Sequence, residues 1–228
     1  MLPRVLEPEV MDTPEEARDY DAMDHAAVNR AFCEDLLAAL PEPKRVLDVG
    51  TGTARIPIEL CRRAPSAEVV AIDLAEHMLD LARKNIKRAA LGSRVTVTKI
   101  DAKALPYPEG AFSAVVSNSI VHHIPEPASV LAEMWRVTSQ GGLLFVRDLY
   151  RPDTEAEIDR LVALHGGERP ADPAAVTSFE SQRSLLRASL AAALTVAEVV
   201  ALVAPLGIPA SAVRMNSDRH WTLSAVKP

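Results

Sequence analysis

The chain has 228 residues, 48% of them hydrophobic and 25% charged, enough apolar material for one sizeable core, so one domain with appendages is expected. A formal net charge of −6 argues against a nucleic-acid partner, because phosphate binding draws most of its affinity from Lys and Arg. Only Cys33 and Cys61 supply thiols, in no ligand spacing, which implies a reducing compartment without structural zinc.

Residues Met1 to Asp12 mix Arg4 with Glu7, Glu9 and Asp12 and lack the charged-then-apolar layout of a secretory signal. Thr13-Pro14-Glu15-Glu16 places a capping residue, a first-turn proline and a glutamate three positions on, so a helix should start there. Helical spacing of Val28, Phe32, Leu36, Leu37 and Leu40 carries Asp21 to Leu40 until Pro41 and Pro43 stop it. Residues 1–43 are therefore read as an N-terminal helical flap on a domain spanning 44–228.

From Lys44 short apolar runs alternate with amphipathic ones. Arg45 to Val49, Glu68 to Ile72, Arg94 to Ile100, Ala114 to Ser117 and Leu143 to Asp148 read as strands, while Arg55 to Arg63, Glu76 to Ala89 and Ala128 to Val137 read as helices. This alternation predicts parallel pairing in a doubly wound α/β sheet. Beyond Arg151, Glu155 to Leu164 reads as a helix. Gly166 to Gln182, with two glycines and two prolines, reads as a long loop over a site. Ser184 to Leu194 is helical, and Thr195-Val196-Ala197-Glu198 is a capping box that starts a helix ending near Gly207. Trp221 to Val226 alternates like a half-buried final strand. The apolar stretch Ala191 to Ala204 is interrupted by Glu198 and stopped by Pro205, short of the ~20 residues of a membrane span. A cytoplasmic protein with no membrane association is expected; oligomeric state is left open.

The chemistry concentrates in Val46-Leu47-Asp48-Val49-Gly50-Thr51-Gly52-Thr53-Ala54, a strand entering a glycine turn and then a helix. Such glycines let backbone approach a ligand closely. The dinucleotide fingerprint needs a third small residue where Arg55 stands, and the GK[ST] phosphate loop is absent. Asp48, just before the first glycine, would repel a pyrophosphate and favour an ammonium group. Asp73 ends the second strand about 20 residues after Gly52, the offset at which an acid reaches ribose hydroxyls. Asp101 and Ala102 end the third strand, where a carboxylate and a backbone N–H could serve an adenine edge. Each acid alone is more simply a cap or a solvated loop residue; three at successive strand ends favour a site.

These segments resemble the class I S-adenosylmethionine-dependent methyltransferases, particularly the broad group related to ubiquinone/menaquinone C-methyltransferases. The resemblance spans about Tyr20 to Leu149. It is carried by the glycine turn, Ala71-Ile72-Asp73, Ile100-Asp101-Ala102, Pro106-Tyr107-Pro108, Phe112 to Asn118, His122-His123-Ile124 and Val137 to Gly142. It implies a Rossmann-like seven-stranded sheet, mostly parallel with an antiparallel last strand, and S-adenosylmethionine as cofactor. It further implies methionyl contacts near Asp48 and Gly50, ribose contacts at Asp73 with Leu74 beside it, and adenine contacts at Asp101 and Ala102. Thr51, Gly52, Ser117 and Asn118 complete the expected cofactor set, and Tyr20 belongs to a segment like the family's cofactor cover. Glycine is usual where Ala54 stands.

The fourth-strand end, Ser117-Asn118-Ser119-Ile120, lacks the Asn/Asp-Pro-Pro-aromatic motif of enzymes that methylate nucleic-acid bases, so a small-molecule acceptor is expected. His122 and His123 follow and are candidates for a general base, with loop-holding hydrogen bonds an equal alternative. His25 and Asn29, at i and i+4 on the flap helix, and His220 at the head of the last strand are weaker substrate candidates. Trp221 is explained by core packing. No metal cluster is evident from spacing. Two readings compete with methyl transfer: a non-catalytic module that keeps the cofactor pocket, and a nicotinamide-dependent oxidoreductase, disfavoured by Arg55 and Asp48.

Overall fold

The computed structural model describes residues 2–10, 12–23 and 25–228. Seven strands form one sheet in the order β3-β2-β1-β4-β5-β7-β6: β1 Arg45–Val49, β2 Glu68–Asp73, β3 Val95–Lys99, β4 Phe112–Asn118, β5 Thr138–Leu149, β6 Val213–Met215 and β7 His220–Val226. The first five pair in parallel, and β7 runs antiparallel to both β5 and β6. The chain reverses its winding between β1 and β4, the switch at which open α/β sheets bind ligands outside the carboxyl ends of their strands.

Alternation along the strands divides the core in two. Leu47, Val49, Val115, Leu144, Val146 and Trp221 pack on one side with α5 (Pro127–Val137) and α8 (Val196–Val203). Val46, Val69, Ala71, Ala114, Val116 and Phe145 pack on the other with α3 (Arg55–Arg63) and α4 (Glu76–Arg88). Trp221 is fully buried, as its core reading requires.

The flap comprises α1 (Pro14–Ala22) and α2 (Ala26–Ala39), so the expected continuous helix from Asp21 is two helices. The Glu16 side chain, on which the other half of the expected capping box rests, is not described. α2 buries Phe32, Cys33 and Leu36, with Phe32 edge-on to Phe145 of β5 at 5.1 Å, so flap and sheet share a core. Arg55, the residue that spoils the dinucleotide fingerprint, anchors the flap: its Nε donates to Asp21 Oδ1 at 3.1 Å. Both cysteines are buried free thiols, and burial pushes Cys33 up to about 12.

Two local expectations are corrected. Gly166 to Gln182 is not one long loop. Gly166 caps α6 (Glu155–His165), and α7 begins at Pro173 and runs unbroken to Ala192. Proline is accommodated in a first helical turn, where its missing N–H costs nothing, and no breaker follows it. Strand β6 went unread because three residues, Val-Arg-Met, give no periodicity to detect. The Thr195–Glu198 capping box is formed, with Glu198 N donating to Thr195 Oγ1 at 3.2 Å and Thr195 N to Glu198 Oε2 at 2.7 Å.

Candidate active site

The carboxyl ends of β1, β2, β3 and β4 surround a half-open cavity. Its wall takes Gly50 and Gly52 from the turn after β1, Asp73 and Leu74 from the end of β2, Asp101 and Ala102 after β3, and Asn118 from the end of β4. Tyr20 of the flap and His123 complete the expected residues that reach it. Sequence reasoning missed Glu9, Val10, Met78, Lys103 and Ile120, which also line it. Most of these are side chains that long-range packing delivers, with no local pattern to announce them.

The backbone geometry explains the glycines. Gly50 has φ +72, and a Cβ there would lie 2.2 Å from Ile120 Cγ2, so both conformation and space require glycine. Ala54 holds the left-handed conformation, φ 62, at the head of α3, the position where glycine would be free of Cβ crowding. Asp73 ties the turn together: Oδ2 accepts from Gly52 N at 2.8 Å and Oδ1 from Ala75 N at 3.0 Å. Burial raises its pKa while those backbone donors pull it back. Each carboxylate oxygen retains acceptor capacity toward the cavity. On the cavity wall, the buried Asn118 Oδ1 has no partner among the described residues.

A strap of residues 2–10 runs against the loop bearing His122 and His123. Val5 N donates to Ala191 O at 3.1 Å, and the Arg4 guanidinium donates to the carbonyls of His122, Ile124 and Ala192 at 3.0, 2.9 and 2.6 Å. Glu9 pairs with Lys103, and Asp12 accepts from His77 N at 3.0 Å.

Beneath the strap His122 is 3% exposed and Asp148, on β5, is fully buried. Their Nδ1 and Oδ1 lie 2.5 Å apart, and Asp148 also accepts from the N–H groups of Val121 and Leu149 at 2.5 and 2.6 Å. Burial opposes charge on His122, but Asp148, its hydrogen bond and Glu7 outweigh it and hold the imidazole above its ordinary value. His123, stacked at 4.1 Å on His122, is pushed down to about 4 by burial and by that neighbour.

Residues 46–142 match the family model for a methyltransferase domain. Over that segment the chain is similar to the class I S-adenosylmethionine-dependent methyltransferases. It is 41% identical over 116 residues to a demethylmenaquinone methyltransferase of Thermus thermophilus, covering 51% of this chain and 52% of the relative. It is 36% identical over 159 residues to a malonyl-[acyl-carrier protein] O-methyltransferase of Geobacter sulfurreducens, covering 67% of this chain and 57% of the relative. The chain thus spans about half the length of the curated relatives it matches. An Aquifex aeolicus SAM-dependent methyltransferase structure superposes with TM-score 0.64 at 19% identity, over 94% of this chain and 98% of that one, which establishes likeness of fold.

The cavity fits S-adenosylmethionine on its own features: a glycine cradle that a Cβ would fill, an acid presented at the end of β2 and an orphaned amide oxygen. Some expected residues stand away from its wall. Asp48, Thr51 and Ser117 are buried. Ser117 Oγ donates to Val49 O at 2.9 Å and so braces β1 against β4. His122 lies behind His123, off the wall. His25 packs on Tyr20 with ring centroids 5.0 Å apart and, with Asn29 and Arg55, lines a separate groove on the flap. His220 pairs with Ser217 Oγ at 3.0 Å outside the cavity, and burial pushes it down to about 4. His25, Asn29 and His220 are thus not among the residues lining this cavity.

Asp48 is 2% exposed and its Oδ2 has no hydrogen-bond partner among the described residues. Burial pushes it up to about 7, against the pull of the Thr51 hydroxyl. An acid whose pKa is higher folded than unfolded binds more protons when folded, so it costs stability as pH rises. The cost begins near pH 4, grows until about pH 7 and is constant above. Asp48→Asn is therefore expected to gain on the parent protein between pH 4 and pH 7, by roughly 1.4 kcal/mol per pH unit at most, and to run parallel above. Urea denaturation across that range measures the difference, and a pH-independent gap would show that Asp48 is ionised throughout.

Proposed function

We propose that this chain transfers the methyl group of S-adenosylmethionine to a nucleophilic oxygen, nitrogen, sulfur or carbon of a small molecule. The observation that carries this reading is the cavity, where the glycine turn and the acids ending β2 and β3 share one wall with Asn118, Ile120 and His123. The cofactor supplies an already activated methyl on a sulfonium. The protein's tasks are then to hold donor and acceptor about 3 Å apart, to exclude water and to help remove a proton.

Gly50 and Gly52 admit the methionyl end, Asp73 holds the ribose, and Asp101 with the Ala102 N–H holds the adenine. Tyr20 covers the pocket. The acceptor enters beside His123, under the strap bearing Glu9 and Val10. This replaces the expected cover from Gly166 to Gln182: the strap residues line the cavity and no residue of 166–182 does. Of the two histidines His123 stands on the wall and is held neutral near pH 7, so it can accept a hydrogen bond from the acceptor. His122 is the positioning partner behind it.

Demethylmenaquinone and malonyl-[acyl-carrier protein] are the acceptors named for the two relatives, and a wall of Val10, Ile120 and Ile124 suits an apolar acceptor group. The compartment proposed is the cytoplasm; among the described residues no helix is long and apolar enough to cross a membrane. Incubation with S-adenosylmethionine carrying a labelled methyl group and a metabolite extract tests the reading. Label is expected in one small-molecule fraction, together with S-adenosylhomocysteine. Cofactor binding with no transfer in any extract would favour the non-catalytic module, and nicotinamide binding with no response to S-adenosylhomocysteine would sink both.

A further inference from the structure

Glu7, on the strap, and the adjacent His122 and His123 bring three ligand atoms together within 4.8 Å of one another. Glu7 Oε1 lies 3.6 Å from His122 Nε2 and 3.4 Å from His123 Nδ1. Ligands about 2.0–2.2 Å from a tetrahedral metal ion stand about 3.3–3.5 Å apart, so these spacings match a coordination shell better than a direct hydrogen bond. The Glu7 side chain is only 10% exposed, and among the described residues neither its Oε1 nor His123 Nδ1 has a hydrogen-bond partner. A buried carboxylate oxygen facing two imidazoles at these distances is placed to share a cation with them. Asp148 on His122 Nδ1 leaves Nε2 as the free ligand atom and fixes the ring, the arrangement by which carboxylates orient metal-binding histidines.

We propose that Glu7, His122 and His123 form a binding site for one divalent transition-metal ion. Two imidazoles and one carboxylate suit zinc, iron(II), cobalt or manganese rather than the all-oxygen preference of magnesium or calcium. Three protein ligands leave at least one coordination position open. His123 belongs both to this triad and to the cavity wall, so an ion here borders the place where the acceptor enters. In a consequence that rests on the methyl-transfer reading, the open position takes an acceptor oxygen and orients it toward the donor. The site escapes any reading of spacing because Glu7 stands on the strap, far along the chain from the histidine pair.

The test uses the full chain, stripped with a chelator and titrated with zinc by calorimetry and with cobalt by visible absorption. One ion per chain is expected, with a cobalt spectrum of low, nitrogen-and-oxygen coordination. Glu7→Gln and His123→Ala should each weaken zinc binding at least about tenfold. Glu7 lies off the cofactor wall, so Glu7→Gln should keep the parent affinity for S-adenosylhomocysteine, which also verifies its fold. Zinc binding equal in the parent and both variants, or none in the parent at about 1 mM metal, would overturn the site. Loss of S-adenosylhomocysteine binding in the parent, with the metal results as expected, would strike the transferase reading and leave the site standing.

Discussion

Asp73→Ala is expected to weaken S-adenosylhomocysteine binding by about 10²–10⁴-fold. A carboxylate accepting from two ribose hydroxyls makes two charge-assisted hydrogen bonds of roughly 1.5–3 kcal/mol each, and every 1.4 kcal/mol is tenfold in affinity. The same carboxylate holds Gly52 N and Ala75 N, so removing it also loosens the glycine turn and the head of α4, at roughly 1 kcal/mol of stability. Asp73→Asn separates the two contributions. An asparagine oxygen can still accept from Gly52 N but leaves Ala75 N facing an NH2 group, so the variant should keep part of the stability that alanine loses while affinity falls. Calorimetry with S-adenosylhomocysteine and urea denaturation of the same samples read both. Unchanged affinity in Asp73→Ala would reduce Asp73 to a cap of the turn and leave the cofactor's ribose without its partner.

Asp148→Ala should cost about 3–5 kcal/mol of stability, a large share of what a single domain has. Asp148 is fully buried. It stands against the His122 ring and the N–H groups of Val121, His122 and Leu149. Burial works against its charge, yet His122 and these donors hold its pKa below the ordinary carboxylate value. Deleting the carboxylate leaves an imidazole and backbone donors buried without an acceptor, which is the costly way to break such a pair. Asp148→Asn retains one acceptor oxygen and should lose distinctly less. Denaturation midpoints at constant slope measure both, and a loss below about 1 kcal/mol for the alanine variant would mean that water reaches His122 and takes the carboxylate's place.

These two residues mark the limit of what was legible along the chain. Asp73 could be read because its neighbours announce it: an apolar strand, a glycine turn upstream, and a fixed ribose offset all fall within one βαβ unit. Asp148 stands at the end of an equally clear strand, but its partner is a histidine 26 positions away, and no pattern in either segment names the other. Asp48 shows the same limit in a different way. Its place before Gly50 was legible, whereas the side of the sheet onto which alternation turns it, with Val46 and away from the cavity wall, became clear only in the assembled sheet.

The sequence by itself determined the alternation of strands and helices, the glycine turn that Gly50 and Gly52 require, the capping box at Thr195 and the family that the chain resembles. All of these rest on interactions between residues close in sequence, where period, turn chemistry and caps leave a local signature. The tertiary structure alone decided that β6 joins the sheet edge, that α7 forms where glycines and prolines suggested a loop, and that His25, Asn29 and His220 lie away from the cavity. It also decided that residues 2–10 lie against the histidine loop and bring Glu7 to His122 and His123. Those outcomes come from packing across the whole chain: a three-residue strand is held by its neighbour, and a strap without regular structure by carbonyls that Arg4 and Val5 find only after the sheet has formed.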